Sequence, residues 1–180
     1  MGIDGWEFRQ TLGRFATGVT VVSIDDGHAV HGMTANAFTS VSLDPPLVLV
    51  CIDKKNQTHA LLHRFDRFAI NVLAEDQEAI SNYYAGRLEQ GAAGRFHRPG
   101  TVAPILEGCL AWLDCTLERA YDGGDHTIFL ARVEQLGRRD GRPLLYFCGR
   151  YERLAEGGAA STPSAGGAAV GEGKGGRGGQ

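Results

Sequence analysis

The sequence contains no apolar run approaching the ~20 residues that a bilayer-spanning helix needs, so no helical membrane span is expected. It also lacks a basic surplus. Lys and Arg number 18 against 21 Asp and Glu, which leaves no positive field of the kind that phosphate backbones require and disfavours nucleic acid as a partner. The opening MGIDGWEFRQ has neither the charged nor the apolar region of a signal peptide, so a cytoplasmic location is expected. Cysteine is sparse. Cys51, Cys109, Cys115 and Cys148 are too widely spaced for a C-x-x-C site, and three of them sit in apolar runs, where they read as small buried thiols. No G-x-G-x-x-G follows a strand-like run, which excludes a Rossmann unit. The run Gly171-Glu172-Gly173-Lys174 fails as a phosphate loop, because position 168 is Ala and position 175 is Gly. His59 and His63 stand four apart without an evident third ligand, so no metal is expected. No triad or paired carboxylates can be recognised.

What is present is enough for one domain with a sizeable core, since apolar residues make up 43% of 180. Residues 155–180 are different. Rich in Gly and Ala, with Val170 the only apolar bulk beyond residue 156, they cannot offset the entropy of ordering and are expected to be disordered, leaving 1–154 as the folded unit. Trp6, Phe8, Leu12 and Phe15 recur near helical spacing and predict a short amphipathic helix over 6–15. Further helices are expected over 56–65 and 76–85. Strands are expected over 18–24 and 28–34, joined at Asp25-Asp26-Gly27, and over 47–52, 68–73, 110–121, 127–136 and 144–154, with 86–101 a loop. About seven strands in adjacent hairpins argue for a closed or partly closed antiparallel barrel rather than alternating βαβ units.

One stretch, 31–58, combines several signals. Gly32, Thr34, Ala35, Asn36, Ala37, Thr39, Ser40 and Ser42 are small or hydroxylated and leave the backbone unobstructed for a flat ligand. The same run also fits a barrel strand with its polar face in water. Asp44-Pro45-Pro46 makes a stiff turn, and LVLVCI (47–52) reads as a buried strand. Lys54, Lys55, Asn56, Gln57 and Thr58 then gather cationic, amide and hydroxyl groups at a helix start, with Asn56 as N-cap. Such a cluster suits a phosphate.

The run GMTANAFTSVSLDPPLVLVCIDKKNQTHALL resembles the signature of the flavin reductase family, small reductase components of two-component flavin monooxygenases. The blocks FRQTLGRFATGVTVVS, RFAINVL, GDHTIFLARV and PLLYFCGRY follow in that family's order, so the resemblance covers about residues 6 to 154. It implies a mainly β fold with short helices, the antiparallel split β-barrel of FMN-binding type. It also implies a hydride donor, NADH or NADPH, an acceptor, FMN or FAD, a homodimer, and a partner monooxygenase supplied with reduced flavin. Both rings carry their own chemistry, so the protein has mainly to stack them within about 3 to 3.5 Å. That explains how a chain without a triad could be an enzyme.

By the resemblance, cofactor contacts fall on Thr34, Ala35, Asn36, Ala37, Ser40, Val41, Ser42, Cys51, Asp53, Lys54, Asn56, Thr58 and Tyr151, with Asp53, Lys54, Asn56 and Thr58 towards the ribityl phosphate. His126 in Gly124-Asp125-His126 matches the block whose imidazole faces the nicotinamide, and is the expected catalytic residue. Ala131 stands where the family usually has Gly, and Arg95-Phe96-His97-Arg98 follows its Lys-Phe segment only loosely. The alternative is a flavin-binding split barrel that does not reduce its ligand.

Overall fold

The computed structural model describes residues 2–87 and 92–155, so the expected disorder from 156 to 180 lies outside the described residues. Helix α1 (Gly5–Leu12) begins at Asp4, whose carboxylate accepts from Glu7 N at 3.1 Å, and ends before Phe15 because the Gly13 N–H already closes on Arg9 O. None of its residues is buried. Trp6, Phe8, Leu12 and the following Phe15 are 68, 51, 57 and 77% exposed, so the periodicity is real but its apolar face stays largely uncovered by the described residues.

After the short β1 (Thr17–Gly18), strands β2 (Thr20–Asp25) and β3 (Val30–Ala35) form the expected hairpin. Asp26 Oδ1 accepts from His28 N and Ala29 N at 2.8 Å each, and Gly27 takes a φ of +88°, which a residue with a Cβ resists. Strands β4 (Phe38–Leu43) and β5 (Pro46–Asp53) follow, joined at Asp44-Pro45. Next come α2 (Gln57–Arg64), β6 (Arg67–Val72), α3 (Glu78–Tyr84), β7 (Phe96–His97) and β8 (Ile105–Leu106). The long hairpin β9 (Ala111–Gly123) and β10 (His126–Arg138) precedes β11 (Leu145–Phe147) and β12 (Arg150–Glu152).

Seven strands make one antiparallel sheet in the order β3-β2-β6-β9-β10-β5-β4. Its two outermost strands, β3 and β4, are consecutive in the chain and separated only by Asn36 and Ala37. A sheet whose first and last strands share a two-residue joint must curl round on itself. Inside the curl, Val22, Ile24, Val50, Ile52, Phe68, Ile70, Cys115 and Phe129 pack with Leu62 of α2. A second cluster, Val19, Val21, Leu73, Leu106 and Leu144, covers the other face. Strand β2 sends alternate residues into both, which is why its sequence, TVVSI, is buried throughout rather than alternating with polar residues.

The structure corrects two expectations. The strand over 144–154 is broken into β11 and β12 by a tight turn in which Cys148 and Gly149 have φ of +49° and +81°. The expected loop over 86–101 contains β7, which pairs with β8. The second half of the hydroxyl-rich run is a strand, β4, at the edge of the sheet, in line with the expectation of a strand with a polar face in water.

Candidate active site

The β3–β4 joint and the β4 edge form one part of the site. Thr34 Oγ1 donates to Ser81 O on α3 at 2.7 Å, and Thr20 Oγ1 donates to Ala35 O at 2.7 Å, so the end of β3 is tied down from both sides. Asn36 and Ala37 are exposed, and Ala37 O accepts from Cys51 N at 2.9 Å. Ser40 lies opposite Val48 and Ser42 opposite Leu47, which leaves Val41 as the extra residue of a β-bulge. Bulges re-aim the side chains around them and recur beside functional sites. Thr39, Ser40 and Val41 are exposed and Ser42 half-buried. Among the described residues β4 pairs with β5 and no other strand, so its outer edge offers backbone donors and acceptors beside small side chains.

The second part is the β5–α2 loop. Asp53 Oδ1 accepts from Lys55 N at 2.8 Å and Asp53 O accepts from Asn56 N at 2.9 Å, so this carboxylate shapes the loop. Asn56 caps α2 as expected, its Oδ1 accepting from Thr58 N at 2.9 Å. Thr58 is buried and faces inward, and Lys54 is also diverted. Its ammonium donates to the Asp122 carboxylate and, at 2.6 Å, to Gly124 O on the β9–β10 turn. Lys55, beside it, is exposed.

The third part is that turn. His126 pairs with Asp53 across the β5–β10 ladder, and its Nδ1 lies 2.8 Å from Asp125 Oδ1. The imidazole holds the Asp125 carboxyl below the usual carboxylate range, and the Lys54 ammonium does the same for Asp122. Behind it, His59 Nε2 lies 2.8 Å from Thr127 Oγ1, and burial pushes the His59 imidazole below its ordinary value. Burial raises the Cys51 thiol.

The register brings these parts together. Cys51 has Ala37 on one side and Ile128 on the other, so the β3–β4 joint and His126 are separated by β5 alone, roughly 10 Å across the sheet. Tyr151 is tied to α3. Its hydroxyl lies 2.8 Å from Ser81 Oγ and donates to Asn82 Oδ1 at 3.3 Å, while its ring packs on Tyr146 with centroids 5.5 Å apart. It therefore shares Ser81 with Thr34 and braces β3 from behind. Sequence reasoning missed Ser81 and Asp122. A serine in mid-helix and an aspartate before Gly-Gly carry no signal of partners some distance away in the chain. Among the described residues no group of acidic, His and Cys side chains could hold a metal, and no helix is long and apolar enough to cross a membrane.

The donor set suits a flavin: open backbone groups for the edge of a planar polar ring on β4, and a cation with helix-start groups for a phosphate at Lys55 and Asn56. Residues 12–155 match the flavin reductase like domain family. An NADH-dependent flavin reductase from a Rhodococcus species is 46% identical over 150 residues, covering 81% of this chain and 84% of that protein. HsaB, the reductase subunit of a flavin-dependent monooxygenase from Rhodococcus jostii, is 42% identical over 152 residues, covering 83% of this chain and 77% of its own. The solved structure of the flavin reductase PheA2 superimposes with a TM-score of 0.82 at 40% identity, over 86% of this chain and all of that one. Blocks in order along the sequence, an antiparallel fold and an open polar strand edge thus converge on one conclusion: this chain belongs to the flavin reductase family.

Proposed function

We propose that the protein transfers a hydride from NADH to FMN or FAD and releases the reduced flavin to a partner flavin-dependent monooxygenase, working as a homodimer with the split-barrel form of its fold. The observation that carries this reading is the juxtaposition, across β5, of the open β3–β4 run with Asp125–His126. When bound, the flavin supplies the electrophilic ring that accepts the hydride. The chain's own residues bind and orient. Backbone groups from Thr34 to Ala37 and from Ser40 to Ser42 hydrogen-bond the polar edge of the ring, and donors placed there favour the negative charge that reduction develops. Asn56 and Lys55 face the ribityl phosphate. His126 positions the nicotinamide, its Nδ1 held by Asp125 so that Nε2 is the nitrogen turned to the ligand.

A second copy of the chain is the occupant proposed for the apolar face of α1. An isolated helix of eight residues is marginal in water, and α1 buries none of its own residues in this chain, so it needs a partner surface to be stable. Two hollows among the described residues, one lined by Asp66 and Arg67 and the other by Cys109 and Trp112, contain none of the residues assigned to the flavin. A groove completed by a second subunit accords with that. Four free thiols suit a reducing compartment such as the cytoplasm.

The test is oxidation of NADH, and separately NADPH, with FMN, FAD or riboflavin added, followed at the nicotinamide absorbance band. Oxidation that depends on added flavin and prefers NADH supports the reading. Retained flavin with no oxidation would replace it with a binding protein of the same fold.

A further inference from the structure

The tip of the β9–β10 hairpin is exposed and contains two adjacent glycines. Asp122, Gly123, Gly124 and Asp125 are all exposed, and Gly124 has a φ of +83°. Two adjacent glycines give the backbone more freedom than any other pair. Yet the tip carries Asp125 and begins the strand at His126, so the placing of the imidazole depends on it. Lys54 is what holds it. Its backbone N–H donates to Asp125 O at 3.0 Å, and its ammonium reaches Gly124 O at 2.6 Å and the Asp122 carboxylate. Three contacts from one residue span the tip from Asp122 to Asp125.

We propose that Lys54 is a positioning residue for hydride transfer: with Asp122 it straps the hairpin tip so that the Asp125–His126 pair keeps its place, instead of neutralising the flavin phosphate. This rests on the reading that His126 faces the nicotinamide. The Lys54 ammonium already serves a carboxylate and a carbonyl, which leaves one of its three N–H donors for a phosphate, whereas Lys55 beside it is exposed. The strap also links the loop at the phosphate end to the residue at the nicotinamide end.

The experiment compares Lys54→Met, Asp122→Ala, the double variant and Lys54→Arg. Steady-state kinetics with NADH are measured together with FMN and riboflavin dissociation constants and amide hydrogen exchange over residues 120–130. Each single variant is expected to lower kcat/KM for NADH by roughly 3- to 10-fold, the scale of one exposed ion pair with one charge-assisted hydrogen bond. The double variant should lose no more than the worse single, since both remove the same strap. FMN and riboflavin affinities should stay within about twofold of the parent, exchange at 122–126 should quicken, and Lys54→Arg should restore most of the loss. Weaker binding of FMN but not riboflavin in Lys54→Met, with Asp122→Ala unaffected, would make Lys54 a phosphate ligand and overturn the proposal. Unchanged exchange in both single variants would also overturn it. Exchange and flavin affinity are read without turnover, so a parent protein inactive with NADH would fail the proposed function and leave the strap to be judged by exchange.

Discussion

Two regions of this molecule use the same polar residue types in opposite ways. Beneath β2, β6 and β9 they are consumed by the fold. Asn71 Nδ2 donates to Val21 O and Ser23 Oγ at 2.9 Å each, its Oδ1 accepts from Leu106 N at 2.8 Å, and Ser23 Oγ donates to Pro104 O at 2.6 Å. Asp114, fully buried, holds the Arg67 guanidinium at 2.9 Å and accepts from Val102 N and Ala103 N at 3.0 and 3.3 Å. Along the β3–β4 run, by contrast, the side-chain bonds of Asn36 and Thr39 are long, 3.4 and 3.3 Å, and lie at the surface. A serine or asparagine whose bonds are all spent is scaffold. One whose groups face solvent beside open backbone is available to a ligand.

That contrast can be broken most severely at Asp114. Asp114→Ala leaves a guanidinium and two backbone N–H groups without their acceptor and is expected to cost about 3–5 kcal/mol, read as a lower urea midpoint at unchanged slope. His126→Ala should lower kcat/KM for NADH roughly 10- to 100-fold, equivalent to about 1.4–2.7 kcal/mol of transition-state stabilisation. Flavin affinity should change far less, and equal losses in both would remove the division between ring-binding strand and nicotinamide-side histidine. A paired comparison sharpens the contrast further. Ser23→Ala should destabilise the fold by about 1–3 kcal/mol, because Asn71 and Pro104 lose a buried partner, while Ser40→Ala should stay within about 0.5 kcal/mol and weaken flavin binding instead. Thermal unfolding and flavin titration of both variants check this.

The smallest effect concerns pH. Burial pushes the Cys115 thiol up to about 12 from an ordinary value of 9.0. The folded state therefore keeps a proton that the unfolded chain releases, so this contribution is fully present below about pH 9 and is lost as pH rises towards the folded value. Cys115→Ala should flatten the alkaline fall in stability between those limits. Cys109, pushed up to about 11 by burial, should likewise resist thiol reagents longer than the half-buried Cys51 and Cys148.

Much of this was legible in the sequence because it is local. The Asp25-Asp26-Gly27 turn, the Asn56 cap and the long apolar strands announce themselves in a few neighbouring residues. The family blocks implied cofactor contacts at His126 and along 34–42. Strand β4 was harder to see, since Thr39, Ser40 and Ser42 at a bulged sheet edge lack the alternation of a half-buried strand. The break at Cys148-Gly149 was missed because a cysteine at positive φ is not a turn signal. The helical spacing of α1 was read correctly, yet nothing in it says whether the apolar face will be covered by the same chain. The strap from Lys54 to Asp122 could not be read at all, for it exists only once β5 and β10 are paired.

That pairing has a consequence for how the protein is made. The β5–β10 ladder joins Leu47–Asp53 to His126–Arg132, partners separated by on the order of 70 residues, and contacts of that span form slowly because a long loop must close first. Until β10 docks, β5 has β4 on one flank and a bare edge on the other, so the emerging chain carries β4 and β5 well before it has β10. Synthesis thus passes through a stage in which an apolar strand, LVLVCI, is open to the wrong neighbour. The charged loop Asp53-Lys54-Lys55 at its end is the nearest guard against it.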